Sequence, residues 1–290
     1  MRARAYAKVN LGLEVLFRRK DGYHELRTIL QTVDLYDRLE FQVTAEGVEL
    51  VTSDPKLPTG LDNLVVKATR MLARETGSSQ GIHIVLEKHI PVGRGLGGGS
   101  ADAAMTLLAL NELWGAGLAP RDLHRLAAQV GVDVPFFLCG GTALGVGRGE
   151  EVYPLARQFK APIVLILPEF AIDTAEAYQN LILTNRDSAP KLQYFALPCR
   201  AREEELLDLA NDLETAAGEH SPSIHGYKQT LIELGATGAL MSGSGSAVFG
   251  IFHDAAVALS AARSLASGGV PAIATRTITQ EEYREKTLES

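Results

Sequence analysis

The stretch PVGRGLGGGSADAA, residues 91–104, runs directly into MTLLALNELWG, and its reading decides the fold. Five of the seven residues from Gly93 to Gly99 are glycine. Glycines let backbone N–H groups approach phosphate oxygens with no Cβ in the way. A helix N-terminus directly behind them adds free amides and the positive end of its dipole. A plain strand-to-helix connection needs far fewer glycines, so the loop is functional. It is not the common nucleotide-triphosphate loop, because the terminal G-K-S/T is missing. Gly93 to Gly98 formally match G-x-G-x-x-G. The acidic residue that should close a second strand about 20 residues on nevertheless falls in or just past the helix, where Glu112 lies. A dinucleotide-binding oxidoreductase is therefore a poor fit.

Outward from the loop, GIHIVLEKHIP alternates Ile82, Ile84 and Leu86 against His83 and Glu87, which predicts a strand entering it. ADAAMTLLALNELWG predicts a helix ending at Gly115, and PRDLHRLAAQVG a second from Pro120 to Gly131. Upstream, AYAKVNLGLEVLF reads as a long strand, then a turn at RRKDGYHEL, then the strands RTILQTVDL, DRLEFQVTA and GVELVT. DNLVVKATRMLARETG has helical spacing behind the cap candidate Asp62 and stops at Gly77. FFLCGGTALGVGRGEEV reads as a glycine-rich hairpin. The pattern then restarts near residue 155 with the buried strand APIVLILP and helices around 174–183, 201–217 and 221–234. ATGALMSGSGSAVFGIF, a helix over 254–266 and the strand VPAIATRTI close the chain. These elements predict an α+β protein of two halves, 1–155 and 156–290.

Composition narrows the function classes. The chain has 290 residues, 46% hydrophobic and 22% charged, enough for a sizeable core without staples. Its net charge of -7 argues against a nucleic-acid partner. No apolar run approaches bilayer length and no secretory leader is visible, so no membrane partner is expected. Cys139 and Cys199 are far apart, without metal-ligand spacing, which fits a reducing cytoplasm.

The glycine loop resembles the phosphate-binding loop of the GHMP kinases (galactokinase, homoserine, mevalonate and phosphomevalonate kinases), with its P-x-x-x-G-L-G core. AKVNLGLEV, residues 7–15, is similar to that family's first motif, and LMSGSGSAVFG, residues 240–250, to its third. One branch of the family matches more closely, through R-x-DGYH followed by T-x-x-Q, through DNLVVKA and GVDVPFFLCGGTALGVGRGE, and through NDLE at 211–214. The resemblance covers the chain nearly end to end. It implies the two-domain GHMP kinase fold, a ribosomal-protein-like N-terminal α/β domain and a C-terminal α+β domain with the active site in the cleft between them. It implies transfer of the ATP γ-phosphoryl group to a hydroxyl of a cytidine-diphosphate sugar alcohol, on the non-mevalonate route to isoprenoid precursors. A kinase of the homoserine or mevalonate type is the alternative within the family; a nucleotide-binding module that has lost its chemistry is the alternative outside it.

The resemblance also assigns roles. Asp133 becomes the catalytic aspartate, as base or as the group that orients the acceptor hydroxyl, and Lys8 the cation facing it. On residues alone Asp133 could simply shape a turn, where Pro135 should hold Val134 extended. Lys8 alone could be a solvated edge lysine, but Asn10 shares its face by the period-two rule, which suits a common substrate. ATP is expected on Pro91, Gly93, Arg94, Gly95, Leu96, Gly97, Gly98, Gly99, Ser100 and Ala101, with Asn63 and Lys88 near the adenosine. Mg²⁺ should arrive with ATP, and no dedicated metal cage is visible. Tyr23 and His24 of DGYH should receive the cytosine, with Tyr178 on the opposite face of the base. Thr174 is a helix-cap candidate that also reaches the substrate. Ser242 and Gly243 should support the acceptor site. Tyr6 stands where proline is common, Arg94 where a small residue is usual, and the third motif carries serines where threonines are frequent. The partners expected are small molecules and, if the chain assembles, a second copy in a homodimer.

Overall fold

A computed structural model of the chain describes residues 1–181 and 210–289. Cys199 and the first part of the helix expected over 201–217 lie outside the described residues. The first sheet contains β1 (Arg2–Arg18), β2 (His24–Thr44), β3 (Val48–Thr52), β4 (Gly81–Glu87), β5 (Thr142–Gly147) and β6 (Glu151–Pro154). β2 pairs antiparallel with β1, β4 and β5, while β3 lies parallel to β4 after a crossover through helix α1 (Leu64–Thr76). The strands expected separately at RTILQTVDL and DRLEFQVTA are one 21-residue strand, β2. No turn residue stands between them, and partners on both sides carry the ladder through.

Helix α2 (Gly98–Leu113) follows the glycine loop, and α3 (Pro120–Val130) packs beside it. α2 is apolar nearly all round and correspondingly sunk into the core, with Ala101, Ala103 and Ala104 against Ala5 and Tyr6 of β1. It starts three residues before the expected Ala101. Gly97 takes φ +71 as its N-cap, and Gly98 and Gly99 form the first turn despite their low helix propensity. The cap of α1 is Asn63 rather than Asp62: its Oδ1 accepts from the Val65 amide at 2.9 Å. Val134–Leu138 forms a 3₁₀ turn rather than the extended segment expected before Pro135. Burial of Val134, Phe136 and Phe137 in the first core overrides that local preference.

The second sheet contains β7 (Pro162–Ile166), β8 (Gly238–Met241), β9 (Val248–Ile251) and β10 (Ala272–Arg276), in the order β10-β7-β9-β8. The helices Thr174–Asn180 (α4), Ser221–Glu233 (α5) and Ala255–Ser267 (α6) belong to this part of the chain. Ala7, Val9 and Leu11 of β1 pack on Ile163, Leu165 and Phe249 of this sheet. β1 is thus covered on both faces, and everything from Ala5 to Val15 is buried. The chain then returns: α7 (Gln280–Thr287) and β11 (Leu288–Glu289) dock on the first sheet, β11 pairing with the start of β1. Tyr6 holds this return. Its ring centre lies 5.1 Å from Tyr36 and 5.7 Å from Tyr283, whose hydroxyl donates to the Phe137 carbonyl at 2.6 Å. The aromatic at a position where proline is common therefore has a packing reason here.

Candidate active site

Lys8 and Asn10 stand on a strand with no solvent face, so their polar groups must find partners inside. Lys8 Nζ donates to Asn10 Oδ1 at 2.7 Å, Asn10 Nδ2 to Thr28 Oγ1 at 2.7 Å, and Thr28 Oγ1 to the Gly12 carbonyl at 2.7 Å. Breaks in the β1–β2 register on either side of this pair, between Tyr6 and Lys8 and between Asn10 and Gly12, re-aim the two side chains. Lys8 is 3% exposed, which removes the surface-lysine alternative. Burying an unpaired ammonium costs several kcal/mol, roughly, and the opposing charge is Asp133, with Oδ2 at 3.7 Å from Nζ. Asp133 leads the 3₁₀ turn without capping it, and its side chain is 39% exposed toward the cleft. The pair is therefore a buried cation facing a carboxylate that an incoming molecule can reach.

Two cavities meet here. One, of about 890 Å³, is lined by Lys8, Asn10, Tyr23, His24, Asp133 and Tyr178 among others. The other, of about 320 Å³, runs past Pro58, Asn63, Lys88, Ile90 and the loop from Pro91 to Ser100. Gly93, Gly95, Gly97 and Ser100 line both. No side chain caps the first turn of α2. The amides of Gly98, Gly99 and Ser100 thus stand at a helix start suited to an anion. Close packing explains two of the glycines. A Cβ on Gly95 would sit 2.0 Å from the Ser242 carbonyl oxygen, and one on Gly97 would meet Phe137 at 2.8 Å and Lys8 Cγ at 3.1 Å. The Lys8 amide donates to the Leu96 carbonyl at 2.9 Å, fastening the loop over β1.

The third motif braces that loop. Ser242 Oγ donates to the Gly95 carbonyl at 2.9 Å, and the Ala247 amide to the Arg94 carbonyl at 3.1 Å. Ser242 lies behind the cleft, whereas Gly243 and Ser244 line it. Ala101 is buried beneath the loop and lines neither cavity. Arg94 lines the smaller groove, and its Nη2 donates to the Glu169 carbonyl at 2.7 Å. Asn63 donates to the Pro58 carbonyl besides capping α1. Lys88 is held by Asp37 and by Asp102, the latter at 2.8 Å.

On the other side of the cleft, the His24 and Tyr178 rings stack on each other, 5.2 Å apart at 20°. A base held between two rings needs them about 7 Å apart, twice the ~3.5 Å carbon contact distance. In this conformation the rings close on each other, and entry of a base requires one of them to move. Tyr23 instead faces the guanidinium of Arg148, 4.9 Å from the ring centre. Burial, together with the charge of Arg18, lowers the His24 pKa and favours a neutral imidazole. Burial pushes the Tyr178 phenol up, and the Asp133 charge adds to it. The cap of α4 is Asp173, which accepts from the Glu176 amide at 2.8 Å; Thr174 Oγ1 lies 2.8 Å from Ser244 Oγ at the cleft wall.

Several residues of the site were given no role by the motifs that contain them. Thr28 and Arg148 lie within matched segments but give no local sign of their contacts. The NDLE segment proves to be a brace: Asn211 Nδ2 donates to the Met241 and Gly243 carbonyls at 2.9 and 2.7 Å. Asp212 Oδ2 accepts from the Val15 amide at 2.9 Å. Glu214 Oε1 accepts from the Met241 amide at 2.8 Å. Among the described residues, no group of three His, Cys, Asp or Glu side chains could hold a metal ion.

Residues 63–141 match the GHMP kinases N terminal domain and residues 199–270 the GHMP kinases C terminal domain. The chain belongs to the GHMP kinase family. Within it, the similarity is to proteins named 4-diphosphocytidyl-2-C-methyl-D-erythritol kinase. The one from Pelotomaculum thermopropionicum is 43% identical over 271 residues, 91% of this chain and 92% of that protein. The one from Chloroherpeton thalassium is 42% identical over 258 residues, 86% and 88% of the two chains. A crystal structure of 4-(cytidine 5'-diphospho)-2C-methyl-D-erythritol kinase superposes with TM-score 0.81 at 38% identity, covering 96% of this chain and 99% of that one. The homoserine kinase from Cytophaga hutchinsonii superposes with TM-score 0.68 at 20% identity, covering 96% and 94%. That second likeness speaks to the fold alone.

Proposed function

We propose that the chain transfers the γ-phosphoryl group of ATP to the 2-hydroxyl of 4-diphosphocytidyl-2-C-methyl-D-erythritol, a step on the non-mevalonate route to isoprenoid precursors. The observation that carries this reading is the meeting of Lys8 and Asp133 where the glycine-loop groove joins the aromatic-walled cleft. The names and identities of the relatives support the substrate.

In this reading ATP lies in the smaller groove, with its phosphates on the loop amides and the uncapped start of α2. Mg²⁺ travels with ATP, neutralising the phosphates. The acceptor lies in the larger cleft, its base toward Tyr23, His24 and Tyr178. Its hydroxyl reaches Asp133, which orients it and accepts its proton as the O–P bond forms, while ADP departs with the electrons of the broken bond. Lys8 faces Asp133 and offsets charge developing on the transferred group. Its bond to Asn10 fixes where that charge sits. Cytoplasmic residence, and a homodimer if the chain assembles, belong to the same reading. Among the described residues no helix is long and apolar enough to cross a membrane.

A coupled ADP-release assay with a panel of alcohols tests the assignment. Turnover is expected on the cytidyl substrate and not on homoserine or mevalonate. Turnover of either of these, with none on the cytidyl compound, would overturn it.

A further inference from the structure

A second buried ionic cluster flanks the glycine loop, and two of its members, Lys88 and Asp102, reach the wall of the smaller groove. Asp37, in the middle of β2, is fully buried; Lys88, after β4, and Asp102, one turn into α2, are nearly so. Lys88 donates to both carboxylates. Asp37 Oδ1 also accepts from the His89 and Ile90 amides, at 2.6 and 2.8 Å. The ammonium lies 3.2 Å from where a Cβ on Gly98 would be. One cluster therefore grips the chain where it enters the loop, at 88–90, and where it leaves, at 98–102.

Its charge matters because of what lies in front. Two carboxylates and one ammonium, all ionised, would leave a buried negative charge behind amides that must receive a triphosphate. The two acids are not equivalent. Asp37 accepts from three donors, whereas Asp102 takes only the Lys88 contact, and its Oδ1 has no partner. Burial, reinforced by the Asp37 charge, outweighs the pull of Lys88 and pushes the Asp102 carboxyl up.

We propose that Asp37, Lys88 and Asp102 form a charge-neutral clamp, with Asp102 carrying the proton, that holds both ends of the glycine loop in the geometry that receives the nucleotide phosphates. Asp37, which lines neither cavity, and Asp102, on the wall of the smaller groove, are positioning residues that act through Lys88 and the backbone. The inference rests on assigning the smaller groove to ATP and is independent of what fills the larger cleft.

The test is titration calorimetry of the full chain with ADP and Mg²⁺, and separately with CDP as a probe of the larger cleft. Asp102→Asn, a neutral match for the protonated acid, should bind ADP within about threefold of wild type. Asp102→Ala, which cuts the strut to α2 and leaves a balanced Lys88–Asp37 pair, should weaken ADP at least about tenfold and leave CDP unchanged. Loss of ADP affinity in Asp102→Asn as large as in Asp102→Ala would overturn the neutral clamp. Unchanged ADP affinity in Asp102→Ala, or a parallel loss of CDP affinity, would overturn the positioning role. The Asp102→Asn result decides the protonation claim by itself if the Ala variant does not fold.

Discussion

Lys8 Nζ lies 3.7 Å from Asp133 Oδ2 and 2.7 Å from Asn10 Oδ1, so the ammonium is anchored by the amide and only faces the carboxylate. That arrangement leaves Asp133 room to bond an incoming hydroxyl. Replacing Lys8 with Met keeps the bulk, removes the charge, and leaves Asn10 Oδ1 without its donor, at a stability cost of about 1–3 kcal/mol. We expect kcat to fall by about 10²-fold or more while ADP affinity stays within about threefold. Steady-state kinetics with parallel ADP titration checks this; a Lys8→Met enzyme retaining more than a tenth of wild-type kcat contradicts the role.

Gly95 is the tightest point between the loop and the third motif. At φ +74 it has no room for a Cβ, which would sit 2.0 Å from the Ser242 carbonyl oxygen. Gly95→Ala should destabilise the fold by about 1–3 kcal/mol from backbone strain alone, more if Ser242 cannot yield. Because the shift opens the loop, ADP affinity should fall as well. Urea unfolding and ADP titration of the same variant measure both effects, and a variant unchanged in both would show that the contact is not tight.

Much of the site was legible because its signals are local. Period-two alternation put Lys8 and Asn10 on one face, and they hydrogen-bond. The glycine density of 93–99 announced a loop under close approach, and Gly95 and Gly97 meet backbone and side chain at sub-contact distances. What was hidden depends on partners remote in sequence. Asp37 sits in a strand that reads as an ordinary alternating one, and only β4 and α2 arriving beside it turn it into the centre of a buried cluster. Val134 shows the opposite failure: a sound local rule before proline yields to burial of the two phenylalanines that follow. The return of α7 and β11 to the first sheet had no marker, since it rests on Tyr283 meeting Tyr6 across the whole chain.

That return also carries a pH-sensitive contact. Glu282 of α7 is hydrogen-bonded to Arg276, 2.8 Å from Oε2 to Nη1, and Lys286 adds a second bond at 2.7 Å. The Arg276 contact, ahead of the Lys286 one, holds the Glu282 carboxyl down to about 2 against an ordinary value of 4.5. A depressed acid stabilises the fold fully above its unfolded value, and this support is lost as pH falls toward the folded one. Between about pH 5 and pH 2, Tm should therefore fall more steeply for wild type than for Glu282→Gln. Parallel slopes for the two proteins would remove this pair from the acid response.

The central claim is that phosphoryl transfer occurs at the Lys8–Asp133 seam, and Asp133→Asn tests it most directly. The substitution keeps size and hydrogen bonding but removes the proton acceptor. With ATP and the cytidyl substrate in the ADP-release assay, kcat should drop by about 10²- to 10⁴-fold, with ADP affinity within about threefold of wild type. A kcat for Asp133→Asn within about threefold of wild type would contradict the account.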